Sequence, residues 1–275
     1  MTPSLAWPEA SPLPIEPLRA VIDRLGSAAR HHPEDVHLTP GLASQEGEIA
    51  ADPPPALEQL TDEFGGVDLH GRSGLDLLVE DRTDLGPYTL LSGPTSFYPL
   101  YEGTDVAVVL TLDEQGQPGA VLGIGEDLAL RLAATDLREW LERYADALEA
   151  TLAELDEEVV RRHGAERRED EATRAEVAED LMDAHLFRSV LGMMPEDEQV
   201  TVPILPVAEL DTGGAAGCDL PSGTVAGADL RGASLDTAVP IIDADLPGDP
   251  LARRVTWREK GLVVLLRDGE ADAAS

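Results

Sequence analysis

The sequence predicts an α+β protein: an antiparallel sheet packed by helices, followed by a helical segment and a smaller β-rich C-terminal region. Three observations lead there. Between 75 and 125, short apolar runs of strand length alternate with turn residues. From Leu137 to Val159, Trp140, Leu141, Tyr144, Leu148, Leu152 and Leu155 recur at three- and four-residue intervals, the stripe of an amphipathic helix. Past Met194 and Pro195 the composition turns to the Val, Ile, Gly and Pro of strands and turns.

Residues 1–35 form a Pro-rich N-terminal extension, where Pro3, Pro8, Pro12, Pro14 and Pro17 lie too close together for regular structure. A short helix fits 17–30, with Leu18, Val21, Ile22 and Leu25 on one face and Gly26 as its end. The main α+β unit spans 36–163. PPALEQLTDEFGG (54–66) reads as a helix opened by proline and stopped by Gly65 and Gly66. The strands are LDLLVE (75–80), YTLL (88–91), FYPLYE (97–102), VAVVLTLD (106–113) and AVLGIG (120–125), and DEQGQPG (113–119) is the turn between the last two. Asp136 and Glu139 have the spacing of a capping box at the head of the long helix. A charged, then amphipathic helical segment occupies 164–195; Val177, Leu181, Ala184, Leu186 and Val190 mark its helix, and Gly164 separates it from the one before. In the β-rich region, 196–275, the strands are VTVPILPV (200–207), VPII (239–242), RRVTW (253–257) and LVVLLR (262–267), with EKG (259–261) as a hairpin turn.

The order of helix, Gly-Gly, strand meander, acidic turn and closing Trp-Leu helix resembles the SUKH superfamily over roughly 36–163. The residues that carry it are PPALEQLTDEFGG, VAVVLTLDEQGQPGAVLGIGED (106–127) and DLREWLERYADAL (136–148). The resemblance implies a protein-binding domain of the kind found in many bacterial toxin-immunity proteins. Read in fives, 218–237 is CDLPS, GTVAG, ADLRG and ASLDT, with a small residue first, Asp, Thr or Ser second, and Leu or Val third. This resembles the pentapeptide repeat, which implies a square β-helix and, in acidic members, mimicry of DNA. A Gly- and Ala-rich loop that keeps register is the other reading.

Acidic residues number 54 against 20 basic ones, a formal charge of −34. That field repels nucleic acid and anionic membrane and steers toward basic partners. Cys218 is the single cysteine, so neither an internal disulfide nor a cysteine-based metal cluster is expected within one chain. The opening MTPSLAWPEASPLP lacks the n- and h-regions of a signal peptide, and the best apolar run, LVVLL (262–266), is strand-sized; a cytoplasmic protein is expected. His31, His32 and His37 surround Glu34 and Asp35 but offer no i, i+4 pair on a helix, so they read as a polar loop rather than zinc ligands.

Leu210-Asp211-Thr212-Gly213-Gly214 matches the Asp-Thr-Gly core of retropepsin-like aspartic proteases, which need two such carboxylates sharing a proton. Glu209 and Gly214 depart from that family's pattern. No Walker loop and no nucleophile elbow occurs. The expectation is a non-enzymatic, acidic protein-binding module without cofactor, metal or catalytic residue. Its partner is a basic protein such as a toxin, not nucleic acid and not membrane. The partner-binding residues are Glu102, Asp105, Glu126 and Asp127, acids at strand ends and turns where loops present carboxylates. Two other readings stay open: a nucleic-acid mimic that inhibits a DNA- or RNA-handling protein, and a retropepsin-like protease acting through Asp211.

Overall fold

A computed structural model describes residues 6–45, 51–71, 73–79, 96–102, 106–125, 127–186, 200–210, 220, 223–241, 253–258 and 262–267. In chain order its main elements are α1 (Arg19–His31), β1 (Val36–Pro40), α2 (Glu58–Glu63), β2 (Phe64–Leu69), β3 (Ser73–Asp76) and β4 (Phe97–Glu102). Next come β5 (Val106–Leu112), β6 (Pro118–Gly125), β7 (Ala129–Ala134), α3 (Leu137–His163) and α4 (Glu171–Leu186). The chain then forms β8 (Leu205–Pro206), β9 (Thr224–Asp229), β10 (Ala238–Pro240), β11 (Arg253–Arg258) and β12 (Leu262–Arg267). The architecture is α+β, with antiparallel sheets and helices packed on them.

The central sheet has five strands in the order β10-β7-β6-β5-β4. Both of its faces are covered, and the pleat of β5 shows how. Val106, Val108, Leu110 and Leu112 enter the core shared with the helices, whereas Ala107 and Val109 enter a second core on the opposite face. This two-sided burial is the physical reason that β5 reads as a continuous apolar run rather than an alternation. On the helix side, Trp140, Tyr144 and Leu148 of α3 pack with Leu25 of α1 and Val177 of α4. On the other side a four-stranded sheet, β11-β12-β9-β8, lays Ala226, Trp257 and Val263 against Leu122 and Leu130. The Trp257 indole also donates to the Ser96 carbonyl at the head of β4.

A three-stranded sheet, β1-β2-β3, completes the helix-side core with Val36, Val67, Leu69 and Leu75. It is tied to the central sheet by Tyr98, whose Oη donates to the Leu77 carbonyl at 2.9 Å. Among the described residues no helix is long and apolar enough to cross a membrane.

Several local expectations change. Gly65 and Gly66 do not stop a helix; α2 ends at Glu63 and both glycines lie inside β2. They are needed because β2 is squeezed between β1 and β3. A Cβ on Gly66 would sit 2.0 Å from the Leu75 carbonyl oxygen, and the residue has φ +143. Gly26 is buried within α1, which runs on to His31. The strand expected at 75–80 lies earlier, as β3. Of VTVPILPV, only Leu205–Pro206 forms a strand, and Thr201 makes an isolated bridge to Ala238.

The capping box is extended by one residue: the Asp136 carboxylate accepts from the Glu139 N–H at 2.8 Å, and the Glu139 carboxylate accepts from the Thr135 N–H at 2.6 Å. Within 218–237, Thr224–Asp229 form β9, which runs antiparallel to β12. The region beyond 196 also supplies β10, whose Val239 pairs with Leu130 in the central sheet. The expected strand at 88–91 and turn at 259–261 lie outside the described residues.

Candidate functional site

A cleft forms where three chain connections meet. The first is the loop after α1. His32 closes the helix, donating its backbone N–H to the Ala28 carbonyl at 2.9 Å, and the N–H groups of Asp35 and Val36 return to its own carbonyl. The second is the β2–β3 turn, where His70 adopts φ 54 and Gly71 φ 69. A left-handed conformation costs a non-glycine residue about 1–2 kcal/mol. The surrounding bonds hold it there: the His70 N–H donates to the Asp35 carbonyl at 3.1 Å, and the Gly71 N–H donates to the Asp68 carboxylate at 3.0 Å. The third is the stretch from the end of α3 into α4, which brings Arg168 and Arg174.

Asp35 is the hub. Although 6% exposed, it accepts from Arg174 Nε at 3.0 Å and Nη2 at 2.7 Å. Arg174 Nη1 turns the other way, to Asp156 of α3 at 2.7 Å, and Arg168 also holds Asp156, at 2.5 Å. His70 Nε2 lies 2.9 Å from Asp35 Oδ1, within ion-pair distance. Burial pushes the Asp35 carboxyl up; His70 and Arg174 beside it outweigh burial and hold it below the usual carboxylate range. Hydrogen bonds from Arg174 and Arg168 likewise lower Asp156.

Above this network lies a cavity of about 570 Å³ walled by His31, His32, Glu34, Glu169 and Glu171. A second hollow of about 450 Å³, against Arg24 and Glu149, adjoins it through His31, His32 and Leu152. Together they make a polar groove running from the α1–α3 contact to the base of α4. His37 stands apart on β1. Among the described residues, no group of three or more His, Cys, Asp or Glu side chains is placed to hold a metal ion.

The acids nominated from sequence fall elsewhere. Glu102 ends β4 opposite Ala107, and Val106 pairs with Gly125, so the β4–β5 and β6–β7 connections share one end of the central sheet. Asp105 and Glu126 lie outside the described residues, and for Glu102 the backbone alone is described. Asp127 is engaged within the chain: it bonds both terminal nitrogens of Arg131, at 2.9 and 2.5 Å, and caps the Ala129 N–H at 3.1 Å. Burial raises its carboxyl, but Arg131 and the backbone donors bring it below its ordinary range. Asp211, the protease nominee, lies outside the described residues.

The groove was missed because its members are far apart in the chain. The signal available was small: Asp35 within a histidine-rich loop, and an arginine in a helix otherwise lined with acids.

The described arginines are mostly paired within the chain. Every arginine whose side chain is described, Arg30 excepted, has a described carboxylate within 4.0 Å. No protein-family model matches this chain, and neither a curated protein nor a solved structure matches it significantly.

Proposed function

We propose that this chain is a protein-binding protein whose acidic surface takes a basic partner. The observation that carries the reading is the disposition of its arginines. Among those whose side chains are described, all but Arg30 lie within 4.0 Å of a carboxylate of the same chain, as Arg24 does of Asp146 and Glu149, at 2.7 and 2.8 Å. A pair at that distance looks nearly neutral from a Debye length of about 8–10 Å, so an approaching molecule meets the surplus carboxylates. A basic surface is therefore attracted from every side and repelled from few, which raises encounter rates and suppresses acidic competitors. The toxin-neutralising role implied by the SUKH resemblance is one form of this activity, with a basic toxin as the partner.

The test is a binding titration against arginine-rich and glutamate-rich peptides of equal length between 20 and 300 mM salt (about 20 to about 6 Å of screening length). Selective binding of the basic peptide, falling steeply with salt, is expected. Equal binding of both peptides, or none, would remove the proposal.

A further inference from the structure

We infer that the slot over Tyr98 is a binding site for a partner's proline-rich segment led by a tryptophan, and that residues 6–14 of this chain are its tethered occupant. The inference goes beyond the charge-based reading and does not depend on it.

Residues 6–14 form neither helix nor strand, yet they follow a fixed course across several elements. Trp7 meets the ring of Tyr98 on β4 edge to face, with centroids 5.9 Å apart, and its indole N–H donates to the Asp52 carbonyl at 3.0 Å. Pro8 and Ala10 pass over the β5–β6 turn, where a Cβ on Gly116 would lie 3.2 Å from the Pro8 carbonyl oxygen. Leu13 packs on the helix-side core, and its N–H donates to the Ala56 carbonyl at 2.7 Å. Glu9, Ser11, Pro12 and Pro14 are exposed, and buried Ile15 tethers the segment to the core.

The slot is built by residues outside its occupant. Tyr98 is pinned by its bond to the Leu77 carbonyl and by the pairing of β4 with β5. The Asp113 carboxylate holds the β5–β6 turn, and the Leu57 N–H, bonded to the Pro54 carbonyl at 2.8 Å, holds the stretch around Ala56. These parts make an aromatic floor beside two carbonyls, one accepting an indole N–H and the other a backbone N–H. Aromatic grooves take proline-rich chains in this way, because proline presets the backbone and little freedom is lost on docking. The occupant is loosely tied by comparison: Pro8, Pro12 and Pro14 have no N–H to offer the rest of the chain. Segments of this kind open locally without global unfolding, so an incoming peptide of the same chemistry can take the arm's place.

The experiment uses the full chain carrying W7A/L13A, which vacates the slot, and a labelled, terminally blocked peptide AWPEASPLP read by anisotropy. The peptide has one glutamate and no basic residue, so its binding cannot come from the acidic surface. The folded double variant, checked by circular dichroism, is expected to bind it. The unmutated chain should bind about tenfold more weakly or less, since its own arm competes at about millimolar effective concentration. A peptide with alanine in place of tryptophan should lose about tenfold or more. Hydrogen exchange on the unmutated chain is independent of the variants: the Leu13 amide is expected to exchange about a hundredfold faster than the amides of β5. No binding by the folded double variant, equal binding by both chains, or a Leu13 amide as protected as β5 would overturn the inference. A dimer of the unmutated chain that dissociates in W7A/L13A would give the slot to the arm of a second copy and overturn the partner reading.

Discussion

Arg174 donates through Nε and Nη2 to a single oxygen of Asp35, at 3.0 and 2.7 Å, across 139 residues of chain. The same guanidinium reaches Asp156 with its remaining arm. One side chain thus joins the loop after α1, the body of α3 and the start of α4. Its two acids do not depend on it equally, which makes the arrangement testable.

Arg174→Ala leaves the Asp35 carboxylate buried with His70 as its neighbour, whereas Asp35→Asn leaves Arg174 with Asp156. The arginine change is therefore expected to cost more: about 2–4 kcal/mol, at the low end for broken buried pairs because the guanidinium is partly exposed. Asp35→Asn is expected to cost about 1–2 kcal/mol. Urea unfolding of both variants and of the double mutant measures the difference and the coupling. Equal losses would mean that Arg174 acts through Asp35 alone and that its contact with Asp156 adds nothing.

Stability should pass through a maximum on the acid side of neutrality. As pH falls from 7 toward the isoelectric point near 4.2, protonation relieves the self-repulsion of a chain carrying −34. Against this stand Asp35, Asp127 and Asp156, whose carboxyls are lowered in the folded state. A lowered carboxyl contributes stability that is fully present above its unfolded value, about 3.9, and is lost as pH falls through the folded value. Thermal melts between pH 7 and pH 2 should show the rise and then the fall. In Asp35→Asn the acid limb should be shallower; an unchanged limb would assign it to other carboxylates.

Trp140 is 1% exposed in the core between α3 and the central sheet. Trp140→Ala is expected to cost about 3–5 kcal/mol, since the indole contributes both buried area and a cavity when removed. Denaturant midpoints at unchanged slope would measure this loss, and a value below 1 kcal/mol would mean that the site collapses around the missing ring.

Two glycines with positive φ should respond differently to alanine. Gly71→Ala meets open space, so it should cost only the left-handed penalty of about 1–2 kcal/mol. Gly66→Ala places a methyl 2.0 Å from a backbone oxygen of β3, which neither strand can avoid without parting. A loss of about 3 kcal/mol or more is expected, with overpacking added to strain. Similar melting temperatures for the two variants would disprove the close strand approach.

The long helix, the hairpin of β11 and β12, and most of the central sheet were legible because each rests on local signals. Apolar spacing marks α3, Asp113 caps its own turn by accepting from the Gln115 and Gln117 N–H groups, and Val255 and Val263 lie in runs bounded by turn residues. Strand β7 was not, because ALRLAA combines alanines with an arginine. Arg131 is nevertheless buried, its charge matched by Asp127 four residues earlier, a pairing that reads in sequence as an exposed helical contact. Gly65 and Gly66 look alike as a helix stop and as a tight strand crossing; what distinguishes them is β3, which lies beyond the local window. The groove depends on Asp35, His70 and Arg174, and no pattern within one element links them.

The late-synthesised cover on the far face of the central sheet has a consequence for how the protein is made. The face of the central sheet carrying Val109, Leu122 and Leu130 is covered by Ala226, Trp257 and Val263, residues that leave the ribosome after the helices. Until they arrive, the sheet residues already made have the helices to pack on one face and no cover for the apolar side chains of the other. For the seconds that translation takes to reach the hairpin of β11 and β12, the nascent protein carries an exposed β7 edge and an uncovered apolar face. That interval is when a chaperone would be engaged, and the strong negative charge already synthesised keeps neighbouring nascent chains apart during it.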